Sequence, residues 1–218
     1  MANERQQDMK NKVIVIGAGG HAKVVIELLK AGGYQIDYCV ANEGGQRFCM
    51  DVPVVFGDEH LGRLRKDGYS LVFPAIGSNM LRARLAQQVL ELGFDLVNAL
   101  SPSAIVSPSA TIGRGVAIMA GAIINAESRI DDLAVINTGS VVDHDCHIGY
   151  ASHLAPNTAL AGNVKVGELA FIGIGTSVAP EITIGKNSTI GAASAVVSDI
   201  PEGVVALGVP ARVIKKKD

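Results

Sequence analysis

Tryptophan is absent from the 218 residues and aromatic side chains make up only 4% of them. The interior must therefore be filled by Val, Ile, Leu and Ala, within an apolar share of 48%. At this length the chain can bury a sizeable core, as one large domain or two small ones. Cysteine is scarce too. Cys39, Cys49 and Cys146 are an odd number at unrelated spacings, which leaves neither a disulfide framework nor a cysteine-based zinc pattern. No apolar run is long enough to span a bilayer, and the polar opening "MANERQQDMKNK" lacks the apolar core of a signal peptide. A net charge of −2 removes any electrostatic reason to expect nucleic acid or an anionic membrane as partner. The expectation is a soluble, cytoplasmic protein.

What the chain does have is a repeat of six. From Leu100 through Val106, Ile112, Ile118 and onward to Val196, every sixth residue is Ile, Leu or Val, seventeen in succession. Four residues after most anchors comes a small or β-branched side chain, as at Ala104, Ser128, Ser140, Cys146, Ser152 and Thr158. Neither a helix of period 3.6 nor an alternating strand produces this pattern. It fits a parallel β-helix in which each hexad supplies one short strand and one turn. Three hexads close a triangular coil, so residues eighteen apart stack, over roughly five and a half coils. Glycine directly follows the anchor at positions 113, 149, 167, 173, 185 and 191. These glycines are expected to turn the corners at positive φ.

The first hundred residues have a different rhythm. "NKVIVIGAGGHAKVVIELLKAGG" reads as a buried strand, a glycine-rich turn and a helix ending at Gly32–Gly33. "YQIDYCV", "PVVF" and "SLVFPAIG" read as further strands. "DEHLGRLRKDG" predicts a short helix capped by Asp58, and "SNMLRARLAQQVLELG" a helix beginning at Ser78. The alternation gives an α/β, Rossmann-like parallel-sheet domain over residues 1–98, followed by an all-β parallel β-helix over residues 99–218.

Gly17, Gly19 and Ala22 fit G-x-G-x-x-A, a turn whose backbone amides at a helix N-terminus welcome phosphate. No acidic residue stands where a dinucleotide ribose needs one, since the second strand ends "YCVAN". The reading is a nucleotide that carries no hydride; a tight turn without ligand is the plain alternative.

Three of the five histidines, His144, His147 and His153, crowd one stretch of the repeat. Eighteen-residue stacking puts none of them in a shared column, so within one chain they do not converge on a metal, which in catalytic zinc sites generally has three protein ligands. Collection of histidines across subunits, as in γ-class carbonic anhydrases, and simple solvated histidines are the other readings. His144 is flanked by Asp143 and Asp145, and a carboxylate bonded to imidazole fixes its tautomer and raises its basicity. The next coil stacks Gly162 over His144. With no side chain there, a substrate has room and a bare N–H can face a developing oxyanion. A base beside an oxyanion donor suits acyl transfer.

The hexapeptide array, the closing "GVPARVIKK" and the opening "VIVIGAGGHAKVV" together resemble the left-handed β-helix sugar acyltransferases. The nearest group is the nucleotide-sugar N-acetyltransferases of PglD and perosamine N-acetyltransferase type, with NeuD-type sialic-acid O-acetyltransferases close by. "VVDHDCHIG" is similar to their His–acidic pair, which implies His144 as base and Asp145 as its partner. The resemblance also implies left-handed coiling, a homotrimer and acetyl-CoA as cosubstrate lying between neighbouring β-helices, with no metal. It implies CoA contacts at Ser152, His153, Ala161, Gly162, Gly173 and Gly175, with Arg212 and Lys215 toward the CoA phosphates. The nucleotide-linked amino sugar, UDP or GDP, would meet Gly17, Gly19, Gly20 and His21, and also Gly77, Asn79 and Arg82. The family commonly has an acidic pair after the second strand; this chain has Ala41–Asn42.

The implied reaction is acetyl transfer to the amine of a 4-amino-4,6-dideoxy sugar in bacterial surface-glycan (lipopolysaccharide) synthesis. His144 would be the base, Asp145 its orienter and Gly162 N–H the oxyanion donor, with Cys146 packed inward. O-acetylation of a sugar, zinc-dependent hydration and a non-catalytic assembly role are the competing expectations.

Overall fold

A computed structural model describes residues 10–217. The first nine residues, which carry most of the opening read above as lacking a signal-peptide core, lie outside them. The chain divides into two compact units that meet between Leu100 and Ser101.

In the first unit, β1 (Lys12–Ile16), β2 (Gln35–Ala41), β3 (Phe48–Cys49), β4 (Val52–Phe56), β5 (Leu71–Pro74) and β6 (Asp95–Leu96) form one sheet in the order β3-β4-β2-β1-β5-β6. Every pairing is parallel except the β3–β4 hairpin. Helices α1 (Gly20–Ala31), α2 (Glu59–Lys66) and α3 (Asn79–Glu91) make the crossovers. Fully buried Val13, Ile14, Val15, Val40, Val72 and Phe73 give the near-continuous apolar strands that a sheet covered on both faces requires. β1 is the switch point: one crossover leaves it toward β2, and β5 lies on its other side. In open α/β sheets the crevice beyond the carboxyl ends of strands at such a point is where ligands bind.

Ser78 caps α3 as expected, its Oγ accepting from Leu81 N–H at 3.5 Å. Asp58 stands at the N-cap of α2, but its side chain makes no capping bond and its backbone is αR (φ −69°, ψ −17°). The expected cap is therefore absent, and that carboxylate is free for another use.

The second unit is a β-helix of two-residue strands stacked in three parallel sheets. Registers run eighteen residues apart, as in Val141↔Ala159, His147↔Lys165 and His153↔Phe171. Each anchor from Ile118 to Val196 is at most 3% exposed, and together they form one apolar column. Earlier anchors depart from the expectation that all point into a sealed core: Leu100 and Val106 are exposed and Ile112 only partly covered, because the stack begins there. The small slot residues fill the corners and their hydroxyls bond to backbone, Ser128 Oγ donating to Asp143 O at 2.6 Å and Ser140 Oγ to Ala155 O at 2.9 Å. After the last hexad, Val204–Gly208 extends one sheet and pairs antiparallel with Ala211–Lys216.

One expectation is corrected. The glycines after the anchors do not turn the corners at positive φ. That conformation falls three residues after the anchor, at Asp145 (59°), Asn157 (56°), Asn163 (58°) and Asn187 (53°) among others. Asn and Asp tolerate αL better than most residues. The anchor-following glycines answer to space instead: a Cβ on Gly149 would lie 2.7 Å from Glu168 N, and one on Gly173 2.7 Å from Ala192 N, in the coil above.

Candidate active site

His144 and Asp145 occupy a corner of the β-helix just after the strand Val141–Val142. Asp145 takes the αL position there, and its amide is held by Ala126 O at 3.0 Å in the coil below. That turn brings Asp145 Oδ2 to 2.7 Å from His144 Nδ1. A carboxylate can only accept, so Nδ1 carries the proton and Nε2 presents its lone pair. Asp143 completes the corner from the other side. Its Oδ1 accepts from His144 N–H at 2.8 Å and from Asn125 Nδ2 at 3.0 Å. Those two bonds hold the Asp143 carboxyl below its ordinary range. The Asp145 hydrogen bond, seconded by the Asp143 charge, raises the His144 pKa above 6.5. The ring is 60% exposed, so it is open to a reactant.

Gly162, one coil on, lies against that ring. A Cβ built there would come 2.5 Å from His144 Cε1 and 2.7 Å from Nε2. Its N–H has no acceptor among the described residues. The stacking inferred from sequence thus brings His144, Asp145 and Gly162 together. Cys146 beside them is 1% exposed, directs Sγ to Ala161 O at 3.3 Å, and is pushed up by burial, so it presents no thiolate.

The other two histidines are occupied differently. His147 Nε2 donates to Asp131 Oδ2 at 2.8 Å, and Asp131 also takes Arg129 Nε at 2.7 Å. His153 is 7% exposed, accepts from Asn137 Nδ2 at 3.0 Å and meets the Phe171 ring edge-on at 5.2 Å. Among the described residues no three His, Cys, Asp or Glu gather as a metal site would need.

The expected CoA contacts are unevenly placed. Ser152 is 0% exposed within this chain, in the inward slot four after Ile148. Ala161 is partly exposed beside Gly162, Gly173 is buried, and Gly175 is exposed at φ +67°. Arg212 and Lys215 are exposed on the last strand.

In the first unit, a cavity of about 220 Å³ opens at the carboxyl ends of β1, β2 and β5, lined by Gly17, Val40, Asn42, Asp58, Ile76 and Arg84 among others. Gly17 is obligatory there. Its φ is +108°, and a Cβ would lie 2.8 Å from Ala75 O. Its own N–H is spent on Val40 O at 2.7 Å, so the amides left open in this turn are those that follow, at Gly19 and Gly20 where α1 begins. His21, next along, has its pKa lowered to about 4 by burial and by Arg82, and is neutral at neutral pH. Arg82 and Asn79 stand in the first turn of α3. They are 0% and 9% exposed, and Arg82 donates to Ile76 O at 2.9 Å and to Asn79 Oδ1 at 2.9 Å. They brace the Gly77 turn from within, while Gly77 itself is open. Asn42, Asp58 and Arg84, which face the cavity, were not anticipated; they come from three separate elements and share no motif.

A hydrogen-bonded imidazole over a bare glycine on a β-helix, joined in sequence to a nucleotide-type crevice, defines the class: a hexapeptide-repeat acyltransferase with a Rossmann-like domain. Comparison with known proteins narrows it. Residues 12–89 match the family described as the PglD N-terminal domain. The chain is 52% identical to PerB from Caulobacter crescentus, solved with CoA and GDP-perosamine, over 94% of this chain and 97% of that one, with a TM-score of 0.91. It is 37% identical to the acetyltransferase domain of PglB from Neisseria gonorrhoeae, solved with acetyl coenzyme A, over 94% and 99%, with a TM-score of 0.87. UDP-N-acetylbacillosamine N-acetyltransferase of Bacillus subtilis is 44% identical over 119 residues, 51% of this chain. That match spans 52% of the curated relative's length. The chain belongs to the sugar N-acetyltransferases of PglD and PerB type, and its repeat unit is their left-handed β-helix.

Proposed function

We propose that this protein transfers the acetyl group of acetyl-CoA to the amine of a nucleotide-linked 4-amino-4,6-dideoxy sugar. The observation that carries the reading is His144, bonded to Asp145 at 2.7 Å and set against Gly162. The sugar nitrogen attacks the thioester carbonyl and His144 Nε2 takes the proton that nitrogen sheds. Asp145 holds the imidazolium in place. Gly162 N–H meets the oxyanion of the tetrahedral intermediate. The C–S bond then breaks, CoA leaves as thiolate and collects the proton from His144. No acyl-enzyme forms, in keeping with the inward-facing Cys146.

Support from outside the chain comes from PerB and from its two variants with one histidine replaced by asparagine or by alanine, all solved with CoA and GDP-perosamine. The working form is a homotrimer. A base 60% exposed on one β-helix needs a second wall to exclude water and confine CoA, and a neighbouring subunit supplies it. Ser152, His153, Ala161, Gly162, Gly173, Gly175, Arg212 and Lys215 would line the CoA side, and Gly17, Gly19, Gly20, His21, Gly77, Asn79 and Arg82 the nucleotide side. Three unpaired cysteines accord with a cytoplasmic location, and among the described residues no helix is long and apolar enough to cross a membrane. The product serves surface-glycan synthesis.

The test is thiol release from acetyl-CoA with nucleotide-linked 4-amino sugars, run beside analogues bearing only hydroxyls. Turnover confined to the amines supports the proposal. Turnover of the hydroxyl analogues alone makes it an O-acetyltransferase, and thiol release with neither removes it.

A further inference from the structure

We infer that the cavity of the first unit reads a guanine base, through Asp58 and Arg84. This rests on the nucleotide-sugar reading above, whose relatives divide between GDP- and UDP-linked sugars.

Asp58 and Arg84 line the same cavity, one from the start of α2 and the other from α3. Asp58 leaves its helix uncapped, although a carboxylate at that position normally caps. Neither side chain has a hydrogen bond or ion pair among the described residues. Two opposite charges that face one small space without pairing are arranged for a ligand that needs both. Ile16, Val40, Ala41, Ile76, Leu81 and Leu85 line the same cavity, an apolar lining for a flat ring. Asn42 stands on the rim, exposed and without a side-chain bond.

Guanine is the base with that pattern. Its N1–H and N2–H₂ are adjacent donors that match the two oxygens of a carboxylate, and its O6 and N7 are adjacent acceptors that match a guanidinium. Uracil offers one N–H between two carbonyls, so a carboxylate facing that edge meets at least one oxygen and repels it. The same carboxylate also faces the adenine N1 lone pair. The cavity sits beyond the ends of β1 and β2, beside the α1 N-terminus that would take the diphosphate, so base and phosphate fall on connected ground.

Calorimetric titration of the full chain with GDP, UDP, dTDP and ADP tests this. GDP is expected to bind at least about tenfold more tightly than the others. Asp58→Asn should weaken GDP roughly 10- to 100-fold and leave UDP nearly unchanged, erasing the preference. Arg84→Gln, on an exposed helix position, should do the same and carries the test if Asp58→Asn fails to fold. Equal affinities in the parent protein, or a GDP preference that survives both substitutions, would overturn the assignment. Acetyl transfer is read separately. If UDP-amino sugars bind as well as GDP-amino sugars and are acetylated, guanine reading fails while the acetyltransferase stands. If GDP preference holds but no thiol appears, the reverse is true.

Discussion

Replacing Gly162 by Ala adds one carbon at the point where the proposed chemistry is most crowded. The backbone tolerates it, since Gly162 does not adopt positive φ. The new Cβ would sit 2.5 Å from His144 Cε1 and 2.7 Å from Nε2. Carbon atoms in comfortable contact stand about 3.5 Å apart, so the ring must retreat by about 1 Å. It has room to do so, being 60% exposed, and folding should hardly change: a melting temperature within about 2 °C of the parent. Retreat carries Nδ1 away from a 2.7 Å bond to Asp145 and Nε2 away from the reacting nitrogen. A misplacement of that size lowers kcat by about 100-fold. The assay is thiol release at saturating acetyl-CoA and amino sugar, with calorimetry on the same samples. A folded Gly162→Ala protein with kcat within about threefold of the parent would mean that the ring does not act from its place against Gly162.

Three further outcomes follow from the same geometry. Catalysis needs neutral His144, so kcat/KM falls with pH through a pKa raised above 6.5; Asp145→Asn removes the first cause of that rise, and its acidic limb should move to lower pH while the plateau drops about tenfold or more. An unmoved limb in that pH profile would contradict the assigned hydrogen bond. Cys146→Ser places a hydroxyl in the slot that Ser128, Ser140 and Ser152 fill elsewhere, and turnover should stay within about threefold; loss above about 100-fold in a folded variant would revive a covalent route. Gly17→Ala combines a φ of +108° with a 2.8 Å approach to Ala75 O, and should destabilise the first unit by about 1–2 kcal/mol, lowering its melting temperature by roughly 4–16 °C; unchanged melting would mean the turn relaxes freely.

The β-helix and the pairing of His144 with Gly162 were both legible in the sequence, and for one reason: a strict six-residue period converts position into place. Stacking at eighteen needs no knowledge of side-chain angles. The same arithmetic misassigned the corners, because glycine directly after an anchor lets coils approach, and αL falls two residues further on, at Asp145, Asn157 and Asn163 and at Gly121, Gly139 and Gly175. Ser152 was legible as an inward slot residue, four after Ile148, and it is buried there. In the first unit, strand and helix order could be read, but Arg82 could not be recognised as a brace, since its partners are carbonyls of a turn. Asp58 looked like a cap because its position is one; its carboxylate makes no capping bond, and only the folded chain shows that the residue lines the cavity.

The His144 imidazole, in the proposed reaction, accepts the substrate's proton. His144→Asn keeps a side chain of similar reach without a base, so single-turnover acetyl transfer with enzyme in excess should slow by about 100-fold or more, with acetyl-CoA and nucleotide-sugar affinities within a few-fold of the parent. Transfer at the parent rate in that variant would mean that the proton goes elsewhere.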